Sequence, residues 1–290
     1  MQRITGAPRI LVTGATGQLG QELQALAGSW PEARWTFAGR EQLDFSQPET
    51  LVDFFATREF DLVINAAAYT AVDKAESEPQ LAEQVNHLAV AELAQLLAAQ
   101  DACLLHISTD YVFDGQKDQP YRETDVCAPQ SVYGHSKWRG EQAVIASGVR
   151  GAIIRTSWVY SRFGHNFVKT MQRLGKERDQ LRVVSDQIGS PTYAQDLAAA
   201  LIHIARDPQL QSLHGEIYHY SNQGQTSWYE FAKAIFEESG SSCQVEPIAT
   251  HEYPTAARRP AFSLLDTQKI RTHFALDIPH WRDSLARCLN

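Results

Sequence analysis

Tyr133 and Lys137 stand four residues apart in the run Tyr133-Gly-His-Ser-Lys137. On a helix that spacing sets both side chains on one face. An ammonium close to a phenol, assisted by the positive charge of an oxidised nicotinamide, favours the phenolate and lowers the tyrosine pKa. A phenol so tuned can protonate a ketone oxygen as hydride arrives at the carbon. Thr109, or Ser108 before it, ends an apolar run and would hydrogen-bond the same oxygen, stabilising its developing charge. Lys137 also suits the hydroxyls of a nicotinamide ribose.

Such chemistry needs a place for a dinucleotide. Gly14-Ala-Thr16-Gly17-Gln18-Leu19-Gly20 directly follows the apolar run Ile10-Leu11-Val12. A strand ending near Thr13 and a helix starting near Gly17 would use glycine for the tight turn, for close approach to a pyrophosphate and for helix–strand packing. The helix N-terminus offers free N–H groups and a positive dipole end. The spacing is G-x-x-G-x-x-G, which resembles the short-chain dehydrogenase/reductase superfamily. After a second candidate strand, Trp35–Ala38, comes Gly39-Arg40. A nearby arginine accommodates a 2′-phosphate, so Arg40 points to NADPH and leaves NADH open. Asp44 and Phe45 follow, within reach of an adenine. Ala66, Ala67 and Ala68, after a third strand, complete the expected cofactor set with Tyr133 and Lys137.

The scaffold is legible in the pattern around these residues. Apolar runs at 10–13, 35–38, 62–65, 103–108 and 151–156 alternate with helix-like spacing, notably at 80–99 and 134–146. This alternation predicts an α/β fold, a doubly wound parallel sheet. Residues 1–160 form the expected dinucleotide-binding domain, joined by a returning segment at about 195–222. Residues 161–290 are expected to be mostly a smaller substrate-binding region, with strands at 181–185 and 217–220. Helices are expected at 195–205, 228–238 and 281–288.

Composition narrows the class. The 290 residues are 43% apolar, enough for a full core without disulfides. The net charge of −8 argues against nucleic acid and anionic membranes as partners, and an anionic substrate would need a local basic pocket. Cys103, Cys127, Cys243 and Cys288 are scattered, as free thiols in a reducing compartment would be. The ten histidines show no zinc spacing. No signal-like N-terminus and no membrane-length apolar stretch is present, so a soluble cytoplasmic protein is expected.

Longer motifs carry a closer resemblance. Ile64-Asn-Ala-Ala-Ala-Tyr-Thr70-Ala-Val72-Asp73-Lys-Ala-Glu76 is similar to a signature of the dTDP-4-dehydrorhamnose reductase family. So are Ser108-Thr-Asp-Tyr-Val-Phe-Asp114-Gly, Arg155-Thr-Ser-Trp158-Val-Tyr160, Ser185-Asp-Gln-Ile-Gly-Ser-Pro191-Thr and Arg259-Pro-Ala-Phe-Ser263-Leu-Leu-Asp266. The resemblance runs from about residue 9 to 285. It implies reduction of the C4 ketone of dTDP-4-dehydro-β-L-rhamnose by NADPH, with Thr109, Tyr133 and Lys137 as the catalytic set. Thr70, Val72, Ser108, Thr109, Tyr111 and Trp158 would line the sugar pocket, Trp158 against the apolar face of the sugar. Asn166, Lys169, Arg258 and Arg259 are candidates for the nucleotide diphosphate, arginine being suited to bidentate phosphate contacts. Sugar-nucleotide dehydratases of the same superfamily place an Asp-Glu pair after the threonine. Here Asp110-Tyr111 stands instead, which favours reduction over elimination. Some family members dimerise through Mg²⁺. This chain has Gln195 where a carboxylate ligand would be sought, so no required metal is expected. The partner is then a small sugar nucleotide, and the chain a monomer or weak homodimer. Reduction of another NDP-4-keto-6-deoxy sugar remains open. So does a non-catalytic role, since the family resembles a regulatory subunit of methionine adenosyltransferase.

Overall fold

A computed structural model describes residues 6–290. The expected domain start at residue 1 lies outside the described residues. Six strands form one parallel sheet: β1 (Arg9–Thr13), β2 (Arg34–Ala38), β3 (Leu62–Asn65), β4 (Cys103–Thr109), β5 (Arg150–Thr156) and β6 (His214–His219). Their order is β6-β5-β4-β3-β1-β2, and every neighbouring pair is parallel. The central strands are near-continuous apolar runs because helices cover both faces. The principal helices are α1 (Gln18–Leu26), α2 (Pro48–Ala56), α3 (Ala89–Ala99), α4 (Val132–Ser147), α5 (Phe167–Glu177), α6 (Ala194–Arg206), α7 (Trp228–Ser239) and α8 (Trp281–Leu289).

Alternate residues of each strand serve opposite faces. Ile10, Val12, Ile64, Leu105 and Ile154 pack with Leu23 of α1 and with Leu197 and Leu201 of α6. Leu11, Val63, Leu104 and Ile153 pack with Leu93 and Leu97 of α3 and Val144 of α4. The strand order reverses between β1 and β3, and in such sheets a crevice opens beyond the carboxyl ends at that point.

The chain leaves this sheet after β5 and returns for α6 and β6. A short helix, Gln268–Phe274, also comes back, burying Ile270 and Phe274 in the first core. What remains packs around aromatic side chains, with Tyr160, Tyr193, Phe231 and Trp281 at the centre. There, Gln180–Val184 pairs in parallel with Gln244–Ile248. The second of these strands carries Glu246 and Pro247, which mask its pattern in the sequence.

The helix expected over 80–99 is interrupted. An α-helical turn, Pro79–Glu83, passes into a π-helical stretch, Gln84–Leu88, before α3 begins. The wide turn carries Asn86, whose side chain accepts from the Tyr69 N–H at 2.9 Å and donates to the Tyr69 carbonyl at 3.0 Å. Its amide also donates to the Ser136 hydroxyl at 3.0 Å. The irregular turn thereby fastens the loop after β3 to α4.

Candidate active site

A cleft of about 710 Å³ opens at the carboxyl edge of β1, β3 and β4. At one end lies the glycine turn. Gly14 has φ +64°, and a Cβ there would stand 2.7 Å from the carbonyl of Ala66 and from the Ala67 nitrogen. Gly17 is the N-cap of α1, with no side-chain cap and no acidic residue in the first turn. The first N–H groups of α1 are thus free of a competing side chain, as an anion site requires. Gly14, Thr16, Gly17, Gln18, Leu19, Arg40, Asp44, Phe45 and Ala66 to Ala68 all line the cleft. Gly20 does not. It lies beneath the turn, where a Cβ would collide with the Ala15 backbone. Arg40 pairs with Asp44 at 3.1 Å and is largely exposed.

Thr70, Val72, Ser108, Thr109, Tyr111, Tyr133, Lys137 and Trp158 line the rest of the cleft. Thr109 ends β4, and α4 starts directly over it, capped by the Ser131 hydroxyl accepting from the Gly134 N–H at 3.1 Å. Gly134 permits this approach, since a Cβ would strike the Tyr111 carbonyl. Tyr133 is buried, and its ring meets Tyr111 edge-on at 5.5 Å. Burial pushes the phenol pKa well above its ordinary value, and the Thr109 hydroxyl partly offsets this.

Lys137 is anchored from β4. Its ammonium donates to the Ile107 carbonyl at 2.7 Å and lies 3.5 Å from His106 Nε2. Burial brings its pKa down to about 8, against an upward pull from Glu141.

Beneath these groups lie residues that the motifs did not single out. Thr13 donates to Asn65 Oδ1 at 2.6 Å, and Asn65 Nδ2 contacts His106 Nδ1 at 3.1 Å. Burial and the Lys137 charge hold His106 well below its ordinary pKa, so it is neutral. Arg155 and Glu141, both fully buried, form a bidentate pair at 2.8 and 2.6 Å. Glu141 also accepts from the Ser108 hydroxyl at 2.5 Å. Asp110, buried beside Thr109, accepts its hydroxyl at 3.0 Å and is pushed up to about 6, chiefly by burial. A polar residue inside or ending an apolar strand, as with Asn65 and His106, was the available signal.

Four expected ligand residues lie off the cleft wall. The Asn166 side chain caps α5 and donates to Gln18 at 2.9 Å. Lys169 is exposed on that helix, and Arg258 reaches Gln130 at 3.3 Å. Arg259 bridges Asp73 at 2.6 Å and the Tyr111 hydroxyl at 3.3 Å, at the rim.

The RmlD substrate binding domain family model matches residues 8–290. The chain is 44% identical over 286 residues to a dTDP-4-dehydrorhamnose reductase of Sinorhizobium fredii, covering 96% of each. It is 42% identical over 289 residues to the dTDP-4-dehydrorhamnose reductase of Escherichia coli K12, covering 97% of each. A crystal structure of dTDP-4-dehydrorhamnose reductase from Bacillus anthracis in complex with NADP superimposes with a TM-score of 0.91 at 38% identity, over 97% of this chain and 98% of that one. Among the described residues, no helix is long and apolar enough to cross a membrane.

Proposed function

Since the chain belongs to the dTDP-4-dehydrorhamnose reductase family, we propose that it reduces the C4 ketone of dTDP-4-dehydro-β-L-rhamnose with NADPH. The observation that carries this reading is the meeting of Thr109, Tyr133 and Lys137 in one cleft with an uncapped, glycine-lined helix N-terminus. Gly14, Thr16, Gly17, Gln18 and Leu19 would hold the pyrophosphate, Arg40 a 2′-phosphate, and Lys137 the nicotinamide ribose. Without a Cβ, Gly14 lets the turn close against the Ala66–Ala67 backbone. When bound, the reduced nicotinamide supplies hydride to the sugar carbon.

The protein's own groups manage the oxygen. Tyr133, whose phenol is protonated at neutral pH, donates its proton to the ketone oxygen. Thr109 steadies the same oxygen with its hydroxyl. Lys137, one helical turn from Tyr133, would hold the ribose hydroxyls. Thr70, Val72, Ser108, Tyr111 and Trp158 enclose the sugar, and Arg259 at the rim meets the diphosphate. Residues 1–160, with a returning segment at about 195–222, serve the dinucleotide, and residues 161–290 mostly the sugar nucleotide.

The test follows reduced-nicotinamide absorbance with NADPH and enzymatically prepared dTDP-4-dehydro-L-rhamnose. Wild type consumes NADPH. Tyr133→Phe loses about a thousandfold in kcat, the scale of a removed general acid, and still binds NADPH. A wild type that binds NADPH and consumes none would overturn the reading.

A further inference from the structure

Trp158 is held in an uncommon way. Its φ is +47°, in the left-handed region that bulky residues seldom enter. Two polar contacts fix the backbone there: the Thr192 N–H donates to the Trp158 carbonyl at 3.2 Å, and the Ser157 hydroxyl donates to the Ser190 carbonyl at 2.9 Å. Trp158, so held, lines the cleft.

A second indole lies behind it. Trp228, the first residue of α7, stacks on Trp158 with ring centroids 3.6 Å apart and planes 9° from parallel. Trp228 is in turn braced by Phe167 at 4.7 Å and Phe231 at 6.4 Å. The Ser227 hydroxyl caps α7 by accepting from the Glu230 N–H at 3.1 Å, which fixes where that helix starts. Gly189 leaves the space that the edge of the Trp158 ring fills, since a Cβ there would come within 2.8 Å of it. Trp228 does not itself line the cleft. A single half-buried indole could swing on its side-chain torsions. An indole clamped flat against a second one presents a fixed apolar plate to whatever lies on its free face.

We infer that Trp228 is a positioning residue for the sugar, holding the Trp158 indole flat so that the sugar ring has a fixed floor. The inference rests on the functional reading above, in which Trp158 meets the sugar. It predicts an effect confined to one substrate.

The experiment is steady-state kinetics on wild type, Trp228→Ala, Trp228→Phe, Trp158→Ala and the double variant, with NADPH affinity measured by fluorescence titration. Trp228→Ala should raise KM for the sugar nucleotide about tenfold, with kcat lowered less. NADPH affinity should stay at the wild-type value, and Trp228→Phe should recover most of the loss. The double variant should be no worse than Trp158→Ala alone, because the second indole acts only through the first. Additive losses, an unchanged KM, or an equal loss of NADPH affinity would overturn the inference. If Trp228→Ala does not fold, Gly189→Ala takes its place. Its methyl displaces the Trp158 ring and should raise the same KM, and an unchanged KM would again overturn the inference. A wild type that consumes no NADPH with this substrate overturns the functional reading, and the inference with it. An active wild type with an unmoved Trp228→Ala overturns the inference alone.

Discussion

The two ends of the cleft are made by different means. At the glycine turn, backbone meets backbone: Gly14 against Ala66 and Ala67, the Gly17 N–H on the Gly14 carbonyl at 2.9 Å, and the open first turn of α1. At the other end, side chains from distant parts of the chain do the work. Trp158 rests on Trp228, and Arg259 reaches back to Asp73 and Tyr111. A surface of backbone amides reads charge and shape common to every dinucleotide. It leaves little room for substitution. A surface of side chains can be re-specified residue by residue while the sheet stays as it is. One cleft thus joins a fixed end and an adjustable one.

The largest effect expected on that contrast comes from the frame beneath the reacting groups. Glu141→Gln leaves Arg155 buried without its carboxylate, at a cost of about 3–5 kcal/mol. Asp73→Asn breaks the rim pair to Arg259, in which both side chains are partly exposed, and should cost less than about 1 kcal/mol. Urea unfolding of the two variants compares them directly. Equal losses would break the distinction between frame and rim.

Next in size is Gly14→Ala. The positive φ and the 2.7 Å approach to Ala66 and Ala67 leave no space for a methyl. A loss of about 1–3 kcal/mol in stability is expected, with NADPH affinity falling further than sugar-nucleotide affinity. Isothermal titration with each ligand checks the order. A variant that loses the sugar nucleotide first would show that the ends are not separable.

The smallest effect is one of pH. Burial lowers Lys137 from its ordinary 10.5 to about 8. The unfolded chain holds this proton more tightly, so between those values the group makes stability rise with pH. The ammonium that would grip the ribose disappears over the same span. NADPH affinity should therefore weaken as pH rises through about 8, and Lys137→Met should bind more weakly and lose that dependence. Titrations across this range sharpen the comparison, since Trp158→Ala should leave the profile unchanged.

The fixed end was the part that the sequence disclosed. Strands β1 to β5 each carry an apolar run, and the glycine spacing lies within seven residues. Short-range period and spacing are what a linear text preserves. The adjustable end is assembled across long separations, and its pieces look ordinary in isolation. Trp228 reads as one more core aromatic at a helix start. Pro247 hides a strand, and the π-helical stretch that presents Asn86 has the apolar spacing of a plain helix. The electrostatics were the least legible. The sequence shows an ammonium four residues from a phenol, but not the Ile107 carbonyl that anchors the ammonium or the burial that raises the phenol. Asn166 was sought at a phosphate, and its amide is spent on capping α5 and holding Gln18.

The contact of Gly14 with Ala66 and Ala67 lies at the seam between β1 and β3, near the middle of the sheet. A dinucleotide cradled on that seam binds only the folded chain. At a free concentration a hundred times its Kd, it would add about 2.7 kcal/mol to the free energy of unfolding. Proteases cut chains that have opened, so this margin becomes a longer life in the cell. A shortage of the dinucleotide would then reduce the number of enzyme molecules as well as their rate, and the size of the coenzyme pool would be recorded in how long each molecule survives.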